Sequence, residues 1–275
     1  LDDSNLVGQD EEGNTLTGVG GGQNEYALMG YFGRVNYDYE GRYLLEFSGR
    51  YDGSSRFASG HRWGWFPSGS IGWRISEESF FEPAREYIDN LKLRGSYGTL
   101  GNQNVSSYYA YLRLISINDF AGYTFGEGST MGKYSTLGAP VASDLTWETS
   151  KQWNIGLDMT LLNNRLNFTG DAYIRDTKDM LTDGVALPGV YGATSPQMNA
   201  ADLRTKGYEL SINWKDKFML ANKPLEYGIG FNISDYSSEI TKYDNPEKSF
   251  AKDYYVGMKI GEIWGFATDG LFKST

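Results

Sequence analysis

A chain of 275 residues with no cysteine, one histidine and a net charge of −10 has several chemistries closed to it. It can form no disulfide, thiolate metal site or cysteine nucleophile, and it lacks the clustered Lys and Arg that phosphate-backbone binding needs, which argues against nucleic acid as a partner. Mean hydropathy is −0.49 and no apolar run approaches the ~20 residues of a membrane helix, but a membrane barrel stays open, because each of its strands shows lipid one face only.

Residues 1–25 form a polar, glycine-rich stretch that reads as a loop. Asp10-Glu11-Glu12-Gly13-Asn14 lacks the ligand spacing and final Glu of a calcium loop. Gly18, Gly20, Gly21 and Gly22 follow no strand and open no helix, so they are no phosphate cradle. The chain shows no initiator Met or leader, and it stops soon after Gly270-Leu271-Phe272. Both ends read as cut, which predicts a segment of a longer protein.

From Tyr26 onward the sequence alternates, and successive side chains of a strand point to opposite faces. One face of Tyr26 to Tyr39 and Arg42 to Asp52 carries Met29, Tyr31, Val35, Tyr37, Tyr39, Tyr43, Leu45, Phe47 and Tyr51. The other carries Arg34, Asp38, Arg42, Glu46 and Arg50. The pattern returns in Pro67–Ile75, Leu91–Tyr97, Trp153–Leu161, Leu166–Ile174, Tyr208–Trp214 and Leu225–Ile233, with no ionisable residue on the apolar side of any of them. Glu40-Gly41 and Asn163-Asn164 are hairpin turns. Long polar links are expected at Gly53 to Trp63, Asn102 to Thr146, Thr182 to Asp202 and Tyr236 to Asp253. Ser76 to Asn90 breaks the alternation of short and long connections and predicts a small acidic helix around Glu77, Glu78, Phe80, Phe81 and Tyr87.

Short turns on one side and long loops on the other are the layout of a transmembrane barrel. Aromatic residues agree: Tyr37, Tyr39, Tyr43, Trp73 and Trp214 lie toward the short turns, Tyr51 and Trp153 toward the other rim, with aliphatics between. The charges of the second face are too many for a dry core and for the packed interior of an eight-stranded barrel, so they predict a wide, wet or plugged lumen. The fold class is all-β: 26–275 as an incomplete segment of a large antiparallel transmembrane β-barrel.

Catalytic signals are weak. His61 is alone in a loop, without the partners of a metal site or triad, and Glu77-Glu78 are neighbours that point apart rather than an acid–base couple. No enzyme activity and no cofactor are expected. Loop aromatics can stack on sugar rings or pack loops together. Trp63, Tyr109, Tyr123 and Phe125 are the candidates for substrate contact.

Several runs resemble the barrel of SusC/RagA-type TonB-dependent outer-membrane transporters. They include Gly33-Arg34-Val35-Asn36-Tyr37, Arg50-Tyr51-Asp52-Gly53-Ser54-Ser55-Arg56-Phe57, Trp65-Phe66-Pro67-Ser68 and Leu93-Arg94-Gly95-Ser96-Tyr97-Gly98. Leu145-Thr146-Trp147-Glu148-Thr149, Asp176-Thr177-Lys178-Asp179-Met180-Leu181, Arg204-Thr205-Lys206-Gly207-Tyr208-Glu209-Leu210 and Gly261-Glu262-Ile263-Trp264-Gly265-Phe266 follow in the family's order. The resemblance implies a twenty-two-stranded barrel in the outer membrane, with an amino-terminal plug and closing strands that this sequence does not show. It also implies energy from TonB, a SusD-type surface lipoprotein as partner, and a glycan (oligosaccharide) or peptide as cargo. Two rivals remain open here: a siderophore or vitamin receptor of ordinary TonB-dependent type, and a soluble carbohydrate-binding or glycoside-processing β-domain, which should protect its sheet edges.

Overall fold

Alternation of β-branched or aromatic residues with polar ones suits a pleated surface with two different environments, and the chain folds accordingly. The computed structural model describes residues 8–9, 15–16, 23–105, 107–119, 133–184, 187–193, 195–245, 248, 254–268 and 270. Within the first 25 residues, β1 (Gly8–Gln9) and β2 (Thr15–Leu16) pair as a short ribbon. The main strands are β3 (Leu28–Tyr39), β4 (Tyr43–Ser54), β5 (Trp63–Arg74), β6 (Ile88–Asn102), β9 (Glu148–Leu161), β10 (Leu166–Asp183), β11 (Gln197–Leu220) and β12 (Lys223–Lys242). They form one antiparallel meander in which each strand pairs with its sequence neighbours, and β3 and β12 are its outermost strands. Between β6 and β9 a separate hairpin rises, β7 (Ile115–Asp119) with β8 (Lys133–Leu137).

The registers put the two faces where alternation predicts. Across β3 and β4, Val35 faces Phe47 and Tyr37 faces Leu45, whereas Asn36 faces Glu46 and Arg34 faces Ser48. Across β9 and β10, Met159 faces Phe168 and Ile155 faces Ala172. A slip of one residue would send every side chain to the wrong face, so the pattern fixes the register.

The short connections share one rim. Glu40 and Gly41 have φ of 54° and 66°, and Asp38 Oδ1 accepts the Gly41 amide at 2.7 Å. Leu162, Asn163 and Asn164 are likewise left-handed (φ 59°, 59° and 63°) between β9 and β10. A third turn, Ala221 (φ 51°) and Asn222 (φ 61°), joins β11 to β12. Positive φ at both central residues matches the twist of a two-residue hairpin. Alanine is a poor marker of that geometry, so the sequence gives no local signal for this turn.

Three other expectations change. The acidic helix is two 3₁₀ turns, Ile75–Glu77 and Ser79–Ala84, with Pro83 inside the second; proline lacks the amide that a longer helix would need there. The link after β12 begins later than expected, because the strand runs on to Lys242. The Asn102–Thr146 connection contains the β7–β8 hairpin in place of an uninterrupted loop.

Candidate functional site

The two faces and the long-loop rim are the candidate site. On the outward face, aromatic residues gather at two levels. Near the short turns, Tyr39 lies 6.4 Å from Tyr43, ring to ring, and Tyr43 pairs with Trp73. Farther up, Trp63 stacks on Tyr51 at 4.8 Å and on Tyr31 at 6.2 Å, and Tyr97 meets Trp153 at 4.5 Å. Between these levels stand Val35, Leu45, Phe47, Ile71, Leu93, Ile155 and Leu157.

The levels cross the hydrogen-bonded rows at a slant. The row through Tyr43 continues to Trp73, Leu93, Leu157, Gly170, Leu210 and Ile233. On β11 and β12, however, the lower aromatic level lies at Trp214 and Tyr227, whose indole Nε1 and hydroxyl are 3.3 Å apart. That is about four to six residues nearer the turn, or ~14–20 Å, over a width of ~24–29 Å. The implied inclination is about 30–35°, close to the lean of strands in a membrane barrel. The same slant carries another row from Val35 and Phe47 through Gly69, Tyr97 and Trp153 to Ile174, Lys206 and Ser237, out of the apolar band and into charge.

The inward face pairs its ions. Arg94 donates to Asp158 from Nε at 2.7 Å and from Nη2 at 3.1 Å, and Nη2 also reaches Asp171 at 3.0 Å. Arg94 and Asp171 lie on β6 and β10 with Gly156 of β9 directly between them. A Cβ on Gly156 would sit 2.6 Å from Asp171 Oδ1 and 2.7 Å from Arg94 Cζ, so a side chain there would push the pair out of this geometry. Arg50–Asp52 (3.0 Å) and the looser Arg34–Glu46 (3.8 Å) share this face. Such pairs add little stability where water reaches them; their effect is a wall whose charges are held in place.

At the short-turn rim one carboxylate gathers the lower belt. Glu78 Oε1 accepts the Tyr43 hydroxyl at 2.6 Å and the Trp73 indole at 3.0 Å, and Arg42 lies 3.9 Å from Oε2. The Tyr43 hydrogen bond, then the Trp73 one, holds the Glu78 carboxyl below the usual carboxylate range.

At the long-loop rim the sequence motifs converge. Phe57, Phe66, Val105, Leu145 and Trp147 form a small buried core, with Ala110, Ala142 and Leu181 against it. The Trp147 ring lies 5.5 Å from Phe57 and 5.3 Å from Phe66, and its indole donates to the Arg62 carbonyl at 2.8 Å. Phe66 fills space left by Gly64 and Gly101, where a Cβ would collide with its ring. Asn199 staples the next motif: its amide donates to the carbonyls of Thr146 (3.0 Å) and Asp179 (2.7 Å), and its Oδ1 accepts the Thr146 amide at 2.9 Å. Asp179 is left-handed (φ 55°), at the bulge where the register of β10 shifts.

Of the residues singled out for substrate contact, Trp63 opens β5 and joins the upper outward aromatic stack. The Tyr109 hydroxyl donates to the Glu25 carbonyl at 3.2 Å. Tyr123 and Phe125 lie outside the described residues. Alternation had no means of finding Gly156 or Asn199. The register flags Gly156, a glycine between opposite charges on neighbouring strands, but Asn199 carries no comparable signal.

An antiparallel wall with an ion-free, aromatic-rimmed band on its exterior and a charged interior is the wall of a membrane β-barrel. Residues 2–261 match the TonB dependent receptor-like, beta-barrel family, and the chain belongs to it, as a SusC/RagA-type barrel segment of the outer membrane. It is 39% identical over 239 residues to the TonB-dependent receptor SusC of Bacteroides thetaiotaomicron, covering 85% of this chain and 22% of that protein. It is 32% identical over 262 residues to the TonB-dependent receptor P3 of Formosa agariphila, covering 91% of this chain and 25% of the relative. The structure of the RagAB peptide importer in its closed-closed state matches with a TM-score of 0.69 at 32% identity, over 81% of this chain and 23% of that one. The chain thus spans about a quarter of the length of these curated relatives.

Proposed function

We propose that this chain is part of the wall of a TonB-energised importer that takes up oligosaccharides or peptides with a SusD-type surface lipoprotein. In this reading residues 26–275 belong to the barrel, 1–25 to a connection at its mouth, and the protein binds and conducts without making or breaking covalent bonds. The observation that carries it is the convergence of the family motifs on one packed core at the long-loop rim, Phe57, Phe66, Leu145 and Trp147, above an inward face of fixed charges. Likeness to SusC and to the RagAB peptide importer supports bulky polar cargo over a siderophore or vitamin. Substrate stacking by Tyr109, Tyr123 or Phe125 belongs to the same proposal; Trp63, packed into the outward stack, fits it poorly.

Uptake of fluorescent oligosaccharides and peptides by cells carrying or lacking the full-length gene tests the reading. Accumulation should require the gene, TonB and the lipoprotein together. Uptake of ferric siderophores in place of glycans and peptides would overturn it.

A further inference from the structure

Three chain segments at the long-loop rim meet at Arg56. Its guanidinium carbon lies 4.5 Å from the ring centre of Tyr26, just before β3, and 4.9 Å from that of Tyr108, in the β6–β9 connection. The two rings stack at 5.1 Å, 6° from parallel. Arg56 Nη1 donates to the Gln103 carbonyl at 3.4 Å. Around this point Ser55 and Ala27 exchange two hydrogen bonds, Ser55 N to Ala27 O at 3.0 Å and Ala27 N to Ser55 Oγ at 2.9 Å, and Tyr109 is tied to Glu25. Val105 and Ala110 add apolar contact with the Phe57–Trp147 core.

The connection therefore has two parts. Its base, residues 103–105 and 107–112, is fastened to the wall. Beyond it a narrow neck, closed by Arg113 Nε to Gly138 O at 2.9 Å and Gly138 N to Leu114 O at 2.8 Å, carries the β7–β8 hairpin, whose Ile115, Ile117 and Leu137 are exposed. A planar guanidinium can lie against an aromatic face and donate in its own plane at little entropic cost; a flexible ammonium does both less well.

We propose that Arg56 is a latch that holds the base of the long loop to the barrel wall and so fixes where the hairpin stands at the mouth, a positioning residue for cargo capture. The capture role rests on the importer reading given above; the latch itself does not. The segment has no cysteine, so spin labels can be placed at chosen sites in the full-length receptor, freed of any cysteines elsewhere. Labels at Ser59→Cys with Ser107→Cys report the base, and Ser59→Cys with Ser135→Cys report the hairpin.

With Arg56 in place both pairs should give narrow distance distributions. Arg56→Ala should broaden both and raise chymotrypsin cleavage of the loop on intact cells about tenfold, a change of ~1.4 kcal/mol in the opening equilibrium. Arg56→Lys should do the same to a smaller extent. Abundance and heat-modified mobility should not change, and half-saturation of uptake should rise more than the maximal rate falls. Unchanged distances and cleavage in Arg56→Ala would overturn the latch. An opened loop with unchanged half-saturation would keep the latch and remove its role in capture. Absence of glycan or peptide uptake in every form would defeat the importer reading, while the label distances still decide the latch. If Arg56→Ala fails to reach the membrane, Tyr108→Leu, which removes one of the two rings that Arg56 lies against, gives the same expected broadening.

Discussion

Trp65 and Phe66 are neighbours on β5 and face different surroundings. Trp65, on the outward face, is 56% exposed, while Phe66, on the inward side, is 6% exposed and packs under Trp147. The same contrast separates Trp147, 8% exposed, from Trp153, 62% exposed, on β9. One aromatic of each pair belongs to a protein core and the other to a surface made for lipid. A large apolar residue therefore says little by itself about burial in this chain; its face and its height along the strand decide.

The largest test of that difference is to truncate both tryptophans in the full-length protein. Trp147→Ala should cost ~3–5 kcal/mol, because its core cannot collapse onto the void. Trp153→Ala should cost well under half as much, since lipid fills the space. Denaturant midpoints in detergent or lipid read both, and equal losses would break the comparison.

Charge probes the same boundary from the other side. Ile155→Arg or Leu45→Arg should cost ~2–4 kcal/mol near the midplane, whereas Asn154→Arg or Ser48→Arg, on the inward face of the same strands, should change stability by ~0.5 kcal/mol or less. Heat-modified gel mobility measures the folding yield of each, and equal tolerance on both faces would reverse the assignment of inside and outside.

A smaller effect is expected within the lumen. Gly156→Ala places a methyl group between Arg94 and Asp171 and should cost ~1–2 kcal/mol, the worth of one charge-assisted hydrogen bond. Asp171→Asn in the Gly156→Ala background should then add almost nothing, which a double-mutant cycle measures.

The smallest effect is at the short-turn rim. The carboxyl of Glu78 is held below its ordinary range by Tyr43 and Trp73, so its folded pKa lies beneath the unfolded one, about 4.3. Its contribution to stability is complete above that pH and is lost as pH falls through the folded value. Glu78→Gln should lower stability slightly at neutral pH, leave it unchanged in acid, and so flatten the acid limb of the unfolding curve. An unchanged acid limb would remove Glu78 from the belt's support.

Much of the wall was legible because its two solvents repeat with a period of two. Any strand with Leu45, Phe47 and Tyr51 on one side and Glu46, Ser48 and Arg50 on the other declares both faces, and the lean of the strands follows once the aromatics are placed on the register. What alternation cannot show is contact between distant segments. The core of Phe57, Phe66, Leu145 and Trp147 came into view in the sequence only as separate motifs, since nothing local says that they touch. The Asn199 staple and the contact of Arg56 with the Tyr26–Tyr108 stack depend on loop conformation, where no periodicity operates. Pro83 should have argued against a regular helix after Glu78, and the acidic composition of that link concealed it.

The three tight turns, all at one rim, also bear on how the wall comes together. Hairpins β3–β4, β9–β10 and β11–β12 close over two to four residues, so their chain-closure entropy is small and they can form within microseconds. The seam between β6 and β9 spans about 45 intervening residues, and closing it costs on the order of 3 kcal/mol more in chain entropy than a two-residue turn. That cost makes it the expected slow step of assembly for this stretch of wall. The core at the far rim straddles that seam, with Phe57 and Phe66 on the β5 side and Leu145 and Trp147 on the β9 side. Its packing is expected to follow the zipping of the seam, so burial of Trp147 should report when the hairpin arrays on either side become one sheet.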